Sequence, residues 1–248
     1  MELPARSWMV VSLLATALVA ACVDVEERRT YTFDVTESDG RLSVGVEICE
    51  LGNPTNCTET NSLSRATINV PTNREVAFTL KKSGYGPMLI PDVSDEGFGG
   101  SASGSGIGTF RLYSDEELEA IASSLGVQYP WEGGVVALRV AKQPTTFPGV
   151  IFRAFGSTVD AVGESFYYDG EEYRRDLDET TEVSSGWLLP LAEGGFTEVS
   201  PGDHQFEFAG TGAGCSVPSW GWPVQDQPNA VRLPVRAGYT TYASMACE

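Results

Sequence analysis

Short runs in which every second residue is apolar recur along most of this chain, and they constrain its fold more than any other feature. Tyr31, Phe33 and Val35 begin the pattern; after a turn at Ser38-Asp39-Gly40, Leu42, Val44, Val46 and Ile48 resume it up to Cys49. Further runs lie at Ala66 to Val70, at Val76, Phe78 and Leu80, at Met88 to Ile90, at Val135 to Val140 and at Gly149 to Phe155. A period of two places alternate side chains on one face of a strand, and turn chemistry such as Pro71-Thr-Asn-Arg74 separates the runs, so an all-β chain of short strands is expected. One segment breaks the period. Ser114-Asp-Glu-Glu117 is a capping box, and Leu118, Ile121, Ala122 and Leu125 then fall on one helical face before Gly126 ends it.

The formal net charge is -18, with only 16 Lys plus Arg and no basic run. Such a chain repels phosphate at long range, which excludes nucleic acid as a partner and argues against a domain lying flat on anionic headgroups. The stretch from Gly97 to Gly108 is rich in Gly and Ser but lacks both the Lys-Ser/Thr of a phosphate-cradling loop and the Gly-x-Gly-x-x-Gly fingerprint, so it reads as a flexible crossing.

The apolar segment Trp8 to Ala20 falls short of the ~18–20 residues of a spanning helix, and it leads into Leu18-Val19-Ala20-Ala21-Cys22. That ending resembles the lipobox of bacterial lipoproteins. The resemblance implies removal of residues 1–21, acylation of Cys22 on its sulfur and new amino group, and attachment to the membrane through lipid alone. Val23 follows Cys22, and lipoproteins of this kind usually go on to the outer membrane. Residues 22–29 then form a tether of at most ~25 Å. With Cys22 lipidated, four cysteines remain in an oxidising compartment. Of three possible connectivities, proximity favours Cys49 with Cys57 and Cys215 with Cys247, closures that the chain-entropy model values at about 2.5 and 3.7 kcal/mol.

Gly45-Val46-Glu-Ile-Cys49, Ala66-Thr-Ile-Asn-Val-Pro71, Glu75-Val-Ala-Phe-Thr-Leu80 and Ser83-Gly84-Tyr85 together resemble a carboxypeptidase regulatory-like domain, a small transthyretin-like β-sandwich. The resemblance covers about Tyr31 to Pro91. A weaker echo follows: Pro71 precedes Val76 and Phe78 at the same offsets at which Pro201 precedes Phe206 and Phe208. The expected organisation is thus a regulatory-like sandwich at 30–91, a Gly/Ser-rich connector with one helix at 92–131, and a second, divergent sandwich at 132–248.

Chemistry-bearing constellations are sparse. His204 is the only histidine; zinc catalysis draws on several, and no Gly-x-Ser-x-Gly elbow presents a nucleophile for a triad. His204 shares strand parity with Phe206 and Phe208, so it points at a core. Asp169, Glu171, Glu172, Asp176, Asp178 and Glu179 cluster, but Arg174 and Arg175 interrupt them and EF-hand spacing is absent, so a solvated acidic loop is the expectation and calcium the alternative. Trp220 and Trp222 flank Gly221 inside the loop that a Cys215 to Cys247 bridge would close. They offer either a stacking platform for glycan or peptide or a plug for the end of a core. The function expected is a non-catalytic module without cofactor or metal, anchored in the envelope and contacting glycan, peptide or another envelope protein. A structural subunit and an unrecognised hydrolase remain the alternatives.

Overall fold

The computed structural model describes residues 27–94, 106–141, 148–155, 162–181, 191–215 and 218–246. The first half holds β1 (Arg28–Glu37), β2 (Glu47–Glu50), β3 (Cys57–Glu59), β4 (Arg65–Pro71), β5 (Glu75–Lys81), β6 (Met88–Val93), β7 (Gly106–Leu112) and α1 (Asp115–Ser124). The second holds β8 (Gly134–Ala141), β9 (Val150–Phe155), β10 (Ser165–Tyr168), β11 (Tyr173–Arg174), β12 (Leu191–Val199), β13 (Gly202–Gly210), β14 (Pro218–Trp220), β15 (Trp222–Val224), β16 (Gln227–Val235) and β17 (Thr240–Ala246). The protein is all-β, built as two sandwiches with one short helix.

The two sandwiches share a sheet. A ten-stranded sheet runs β11-β10-β12-β8-β17-β6-β5-β2-β3, with β14 paired to β17, and two smaller sheets, β4-β1-β7 and β15-β16-β13-β9, pack on it. The last strand makes the join: β17 runs parallel to β8 on one side, Thr240 to Ala246 against Val135 to Ala141, and parallel to the start of β6 on the other. The segments read from sequence as 30–91 and 132–248 therefore meet edge to edge in one sheet.

The two small sheets cover opposite faces of the large one. On β5 and β6, Val76, Phe78, Leu80, Met88 and Ile90 point into a first core with Tyr31, Phe33 and Val35 of β1. On β8 and β17, Val136, Leu138, Val140, Ala243 and Met245 point into a second core with Phe206 and Phe208 of β13 and Val231 and Leu233 of β16. Tyr242, between Ala243 and Thr241, faces the first core instead. Each fully buried aromatic or aliphatic side chain contributes roughly 1.5–3 kcal/mol, so both cores are substantial.

Two sequence expectations shift. β7 falls in the stretch read as a connector, yet it pairs parallel with β1, Tyr31 to Glu37 against Gly106 to Leu112, because Phe110 and Leu112 complete the first core. The described sandwich thus extends past residue 91; residues 95–105, most of the Gly/Ser-rich run, lie outside the described residues. Leu42 and Val44, expected in a strand, are instead in a loop and are exposed by 58% and 49%. The chain turns there through Gly45 at φ 73, a left-handed conformation that glycine alone adopts without steric cost. The helix matches expectation: Ser114 and Glu117 form the reciprocal cap, and Leu118, Ala122 and Leu125 are buried with Trp131 and Val135.

Candidate functional site

One face of β8 is filled and the other is not. Val135, Ala137 and Arg139 alternate with the core residues and, with Thr240 and Tyr242 of β17, Glu193 of β12 and Phe166 of β10, form the floor of a cavity of about 590 Å³. Its roof comes from Thr109, Phe110 and Arg111 of β7, from Tyr113, from Leu118 and Ile121 of α1 and Leu125 that caps it, and from Trp131. Thr36 and Gly40, at the far end of β1 and in the following turn, also line it. That size suits a small organic ligand, and the lining combines aromatic walls with a few convergent polar groups.

The polar groups meet on the floor. Glu193 and Arg139 are direct cross-strand partners, and Arg139 Nη2 donates to Glu193 Oε2 at 2.9 Å. The Tyr173 hydroxyl donates to Glu193 Oε1 at 2.7 Å. The Arg139 guanidinium carbon lies 5.0 Å from the Tyr242 ring centroid, a cation–π contact. Burial by itself pushes the Glu193 carboxyl up, but the Arg139 charge, the Tyr173 and Arg139 hydrogen bonds and the Arg111 charge outweigh it and hold the group below the usual range. Burial raises the Tyr113, Tyr173 and Tyr242 hydroxyls, each further raised by the Glu193 charge. At neutral pH the floor thus holds a fixed carboxylate, a fixed guanidinium and neutral phenols. Two polar atoms there, Arg139 Nε and the Tyr242 hydroxyl, are buried with no hydrogen-bond partner.

None of these residues stands out in the sequence as a site. The residues that do are placed elsewhere or fall outside the described residues. Cys22 and Cys247 lie outside them. Cys49 and Cys57 are disulfide-bonded, with Cα atoms 4.1 Å apart, and staple β2 to β3; Cys215 is buried and also disulfide-bonded. Trp222 is only 9% exposed, its indole N–H donating to the Val76 and Asp92 carbonyls at 2.9 and 3.2 Å, with the Arg232 guanidinium over its ring. It plugs the space between β15 and the back of β5 and β6 instead of offering a platform. Trp220 is half-buried against the first core, edge-on to Phe110 at 5.0 Å.

His204 is buried with the parity expected, its Nε2 2.7 Å from the Ser200 carbonyl oxygen. In the acidic loop Arg174 bonds Asp176 at 2.8 and 2.6 Å and lies 3.5 Å from Asp169, while Arg175 pairs with Glu164 outside the run at 3.1 Å and donates to Thr197 at 2.7 Å. Among the described residues no group of His, Cys, Asp or Glu is arranged to hold a metal ion, and no helix is long and apolar enough to cross a membrane.

No family model matches the chain, and no curated protein matches it. Among solved structures it is similar to the Bacillus anthracis TIE protein, with 7% identity, a TM-score of 0.26, and coverage of 89% of this chain and 34% of that one. It is similar to GBS52, the minor pilin of Streptococcus agalactiae, at 10% identity and a TM-score of 0.25, covering 88% of this chain and 96% of that one. It is also similar to the CBM26 module of Eubacterium rectale Amy13K, solved with maltoheptaose, at 9% identity and a TM-score of 0.29, covering 90% and 94%. The chain spans 34% of the TIE protein's length and 63% of that of a streptococcal ancillary pilin. At TM-scores this low the likenesses bear on neither ligand nor activity.

Proposed function

We propose that this protein is a non-catalytic ligand-binding module of the bacterial cell envelope, lipidated at Cys22, carried at the outer membrane, and binding its ligand in the cavity between β7, α1 and the large sheet. The carboxypeptidase regulatory-like assignment of 30–91, the divergent sandwich at 132–248 and a Cys215 to Cys247 bridge belong to the same reading. The observation that carries it is the convergence of Arg139, Glu193, Tyr173 and Tyr242 on the floor of a cavity whose walls are largely aromatic and aliphatic. A binding role fits these groups better than a catalytic one. General acid–base work needs a group that titrates near the working pH, whereas Glu193 is held down and the three tyrosines are pushed up.

Residues 28 and 29, the end of the tether read from sequence as 22–29, belong to β1, which shortens the tether of this reading; Thr36 at the cavity lies eight residues along the strand from Arg28, about 26 Å. Of the two tryptophans only Trp220 touches a cavity wall, through Phe110, so a ligand role for the pair narrows to Trp220.

Two measurements test the reading. Ligand-observed NMR of the mature chain against mixtures of small apolar compounds should find binders whose protein shift changes centre on Ala137, Phe166 and Tyr242; binding centred elsewhere, or none, sinks the cavity as the site. Cys22→Ala should leave the outer-membrane fraction, and unchanged abundance there overturns the anchor.

A further inference from the structure

Six side-chain polar atoms among the described residues are buried without a hydrogen-bond partner: Ser64 Oγ, Arg139 Nε, Arg175 Nε, Thr181 Oγ1, His204 Nδ1 and the Tyr242 hydroxyl. Such groups are costly, because each forfeits its hydration with nothing in return. Four of them are scattered, and none of those four lines the cavity. The other two, Arg139 Nε and the Tyr242 hydroxyl, both line it. They come from neighbouring strands of one sheet face, since Tyr242 pairs with Ala137 and Ser244 with Arg139, and the guanidinium sits over the tyrosine ring.

Both unpaired atoms carry a hydrogen to donate, although the Tyr242 oxygen can also accept. An arginine Nε–H can only donate, and the Tyr242 hydroxyl, its pKa raised by burial, keeps its proton. The acceptor Arg139 does have, Glu193, is already shared with Tyr173. The polar end of the cavity therefore offers two hydrogens and lacks an oxygen to receive them. Away from that end Phe110, Trp131, Phe166, Leu118 and Leu125 present mostly apolar surface, which favours an apolar body.

Resting on the reading of the cavity as a binding site, we infer that its ligand is an amphipathic small molecule with a flat or aliphatic apolar body and one acceptor oxygen, of a carbonyl or a carboxylate. Tyr242 and Arg139 Nε hold that oxygen, and the body lies between Trp131, Phe166 and Phe110. A head group that only donates can reach the Tyr242 oxygen or Glu193 but leaves the Arg139 Nε–H unmet, so a head with an acceptor oxygen is favoured.

Three probes with one body separate the possibilities: 4-phenylbutyrate, 5-phenylpentan-2-one and 4-phenylbutylamine, titrated into the mature chain and followed by protein NMR. The carboxylate and the ketone should each bind at least tenfold more tightly than the amine. The difference between those two reports how far Glu193 cancels the Arg139 charge. Tyr242→Phe removes the hydroxyl and keeps the ring; it should weaken the carboxylate and the ketone about fivefold and fold with a Tm at least equal to that of the parent. Equal affinity for all three probes overturns the inference and leaves the binding site standing, with water meeting the two donors. A Tyr242→Phe protein that loses several degrees in Tm also overturns it, because the hydroxyl then has a structural partner. Absence of binding by every probe, with no shift change at the cavity, removes both the inference and the binding-module reading beneath it.

Discussion

Along β8, neighbouring residues live in unlike surroundings. Val136, Leu138 and Val140 lie under the four-stranded sheet with no exposed surface, whereas Val135, Ala137 and Arg139 on the other side of the same strand line the cavity. The difference comes from what covers each face. Strands β13 and β16 are nine residues each and reach about 30 Å, enough to cover the eight residues of β8, which span ~26 Å. On the opposite face the cover is α1, ten residues long and so about 15 Å, together with the edge of β7. A short helix and a strand edge roof only part of that face. The remainder is the cavity, and its floor is where the sheet places charge.

The comparison breaks most visibly under truncation. Leu138→Ala, on the closed face, should destabilise the protein by about 3.5 kcal/mol, since a buried Leu→Ala change costs 2–5 and its tightly packed surroundings collapse little. Val135→Ala, one face over, enlarges an existing space and should cost about 1 kcal/mol. Urea unfolding of the pair measures it; equal losses would mean that the cavity side is as tightly packed as the core.

Buried carboxyls sharpen the contrast. Glu193 in the cavity has Arg139 against it and is held ionised. Asp92, 5% exposed in the first sandwich, is pushed by burial up to about 7 against a lesser lowering by Tyr31, the Val93 backbone and Arg29. Between pH ~4, where an unfolded Asp titrates, and about 7 the folded state binds the extra proton at Asp92. Stability from this group is therefore full at the acid end of that window and falls as pH rises through it. For Glu193 the sign is reversed, with stability lost as pH falls below the unfolded value near ~4.3. Asp92→Asn should add ~2 kcal/mol at pH 8, below the linkage maximum of roughly 4 because water and side chains relax around an ionised Asp, and nothing at pH 4. Parallel stability curves for parent and variant across that range would show that Asp92 does not carry the proton.

These differences trace what the sequence could and could not convey. Period-two runs located five of the seven described strands of the first half but only β8 and β9 in the second, with β13 implied by the parity of Phe206 and Phe208, and the cap at Ser114 located the helix, because those signals are local. Cys49 and Cys57 were legible for the same reason, being a few residues apart. The sharing of one sheet was not legible: the place of β17 between β8 and β6 depends on parallel pairings to residues 105 and 152 positions away, and no local pattern encodes them. The site was hidden by the same property that revealed the strands. On a strand, alternate polar residues such as Arg139 and Glu193 read as a solvent face, and only the packing of α1 and β7 over them turns that face into an interior. One signal could have raised the question: Arg139 interrupts Val135-Val-Ala-Leu-Arg-Val140, which otherwise reads as apolar on both faces. Trp220 and Trp222 drew attention by type, but an indole with its N–H satisfied by two carbonyls is built for burial.

The smallest effects test the comparison most directly, because enlargement should separate the two faces more cleanly than deletion. Ala137 and Ala243 lie on the adjacent strands β8 and β17, Ala137 opposite Tyr242 and Ala243 opposite Leu138, so they point to opposite sides of the sheet within one residue pair of each other. Ala243 has no exposed surface and sits in the second core. Ala243→Leu forces three more carbon atoms into filled space and should cost about 1.5 kcal/mol through displaced rotamers. Ala137→Leu puts the same atoms into the cavity, where added apolar contact offsets the lost side-chain freedom, and stability should stay within ~0.5 kcal/mol of the parent. Its effect should appear in binding instead: a leucine side chain occupies space between Tyr242 and Phe166, and the affinity for 4-phenylbutyrate should fall about tenfold while Ala243→Leu leaves affinity unchanged in the folded protein. If Ala137→Leu destabilises as much as Ala243→Leu, the cavity face is closed in solution and the two faces of β8 do not differ. If it is tolerated but binding persists, the space is real and the ligand lies elsewhere.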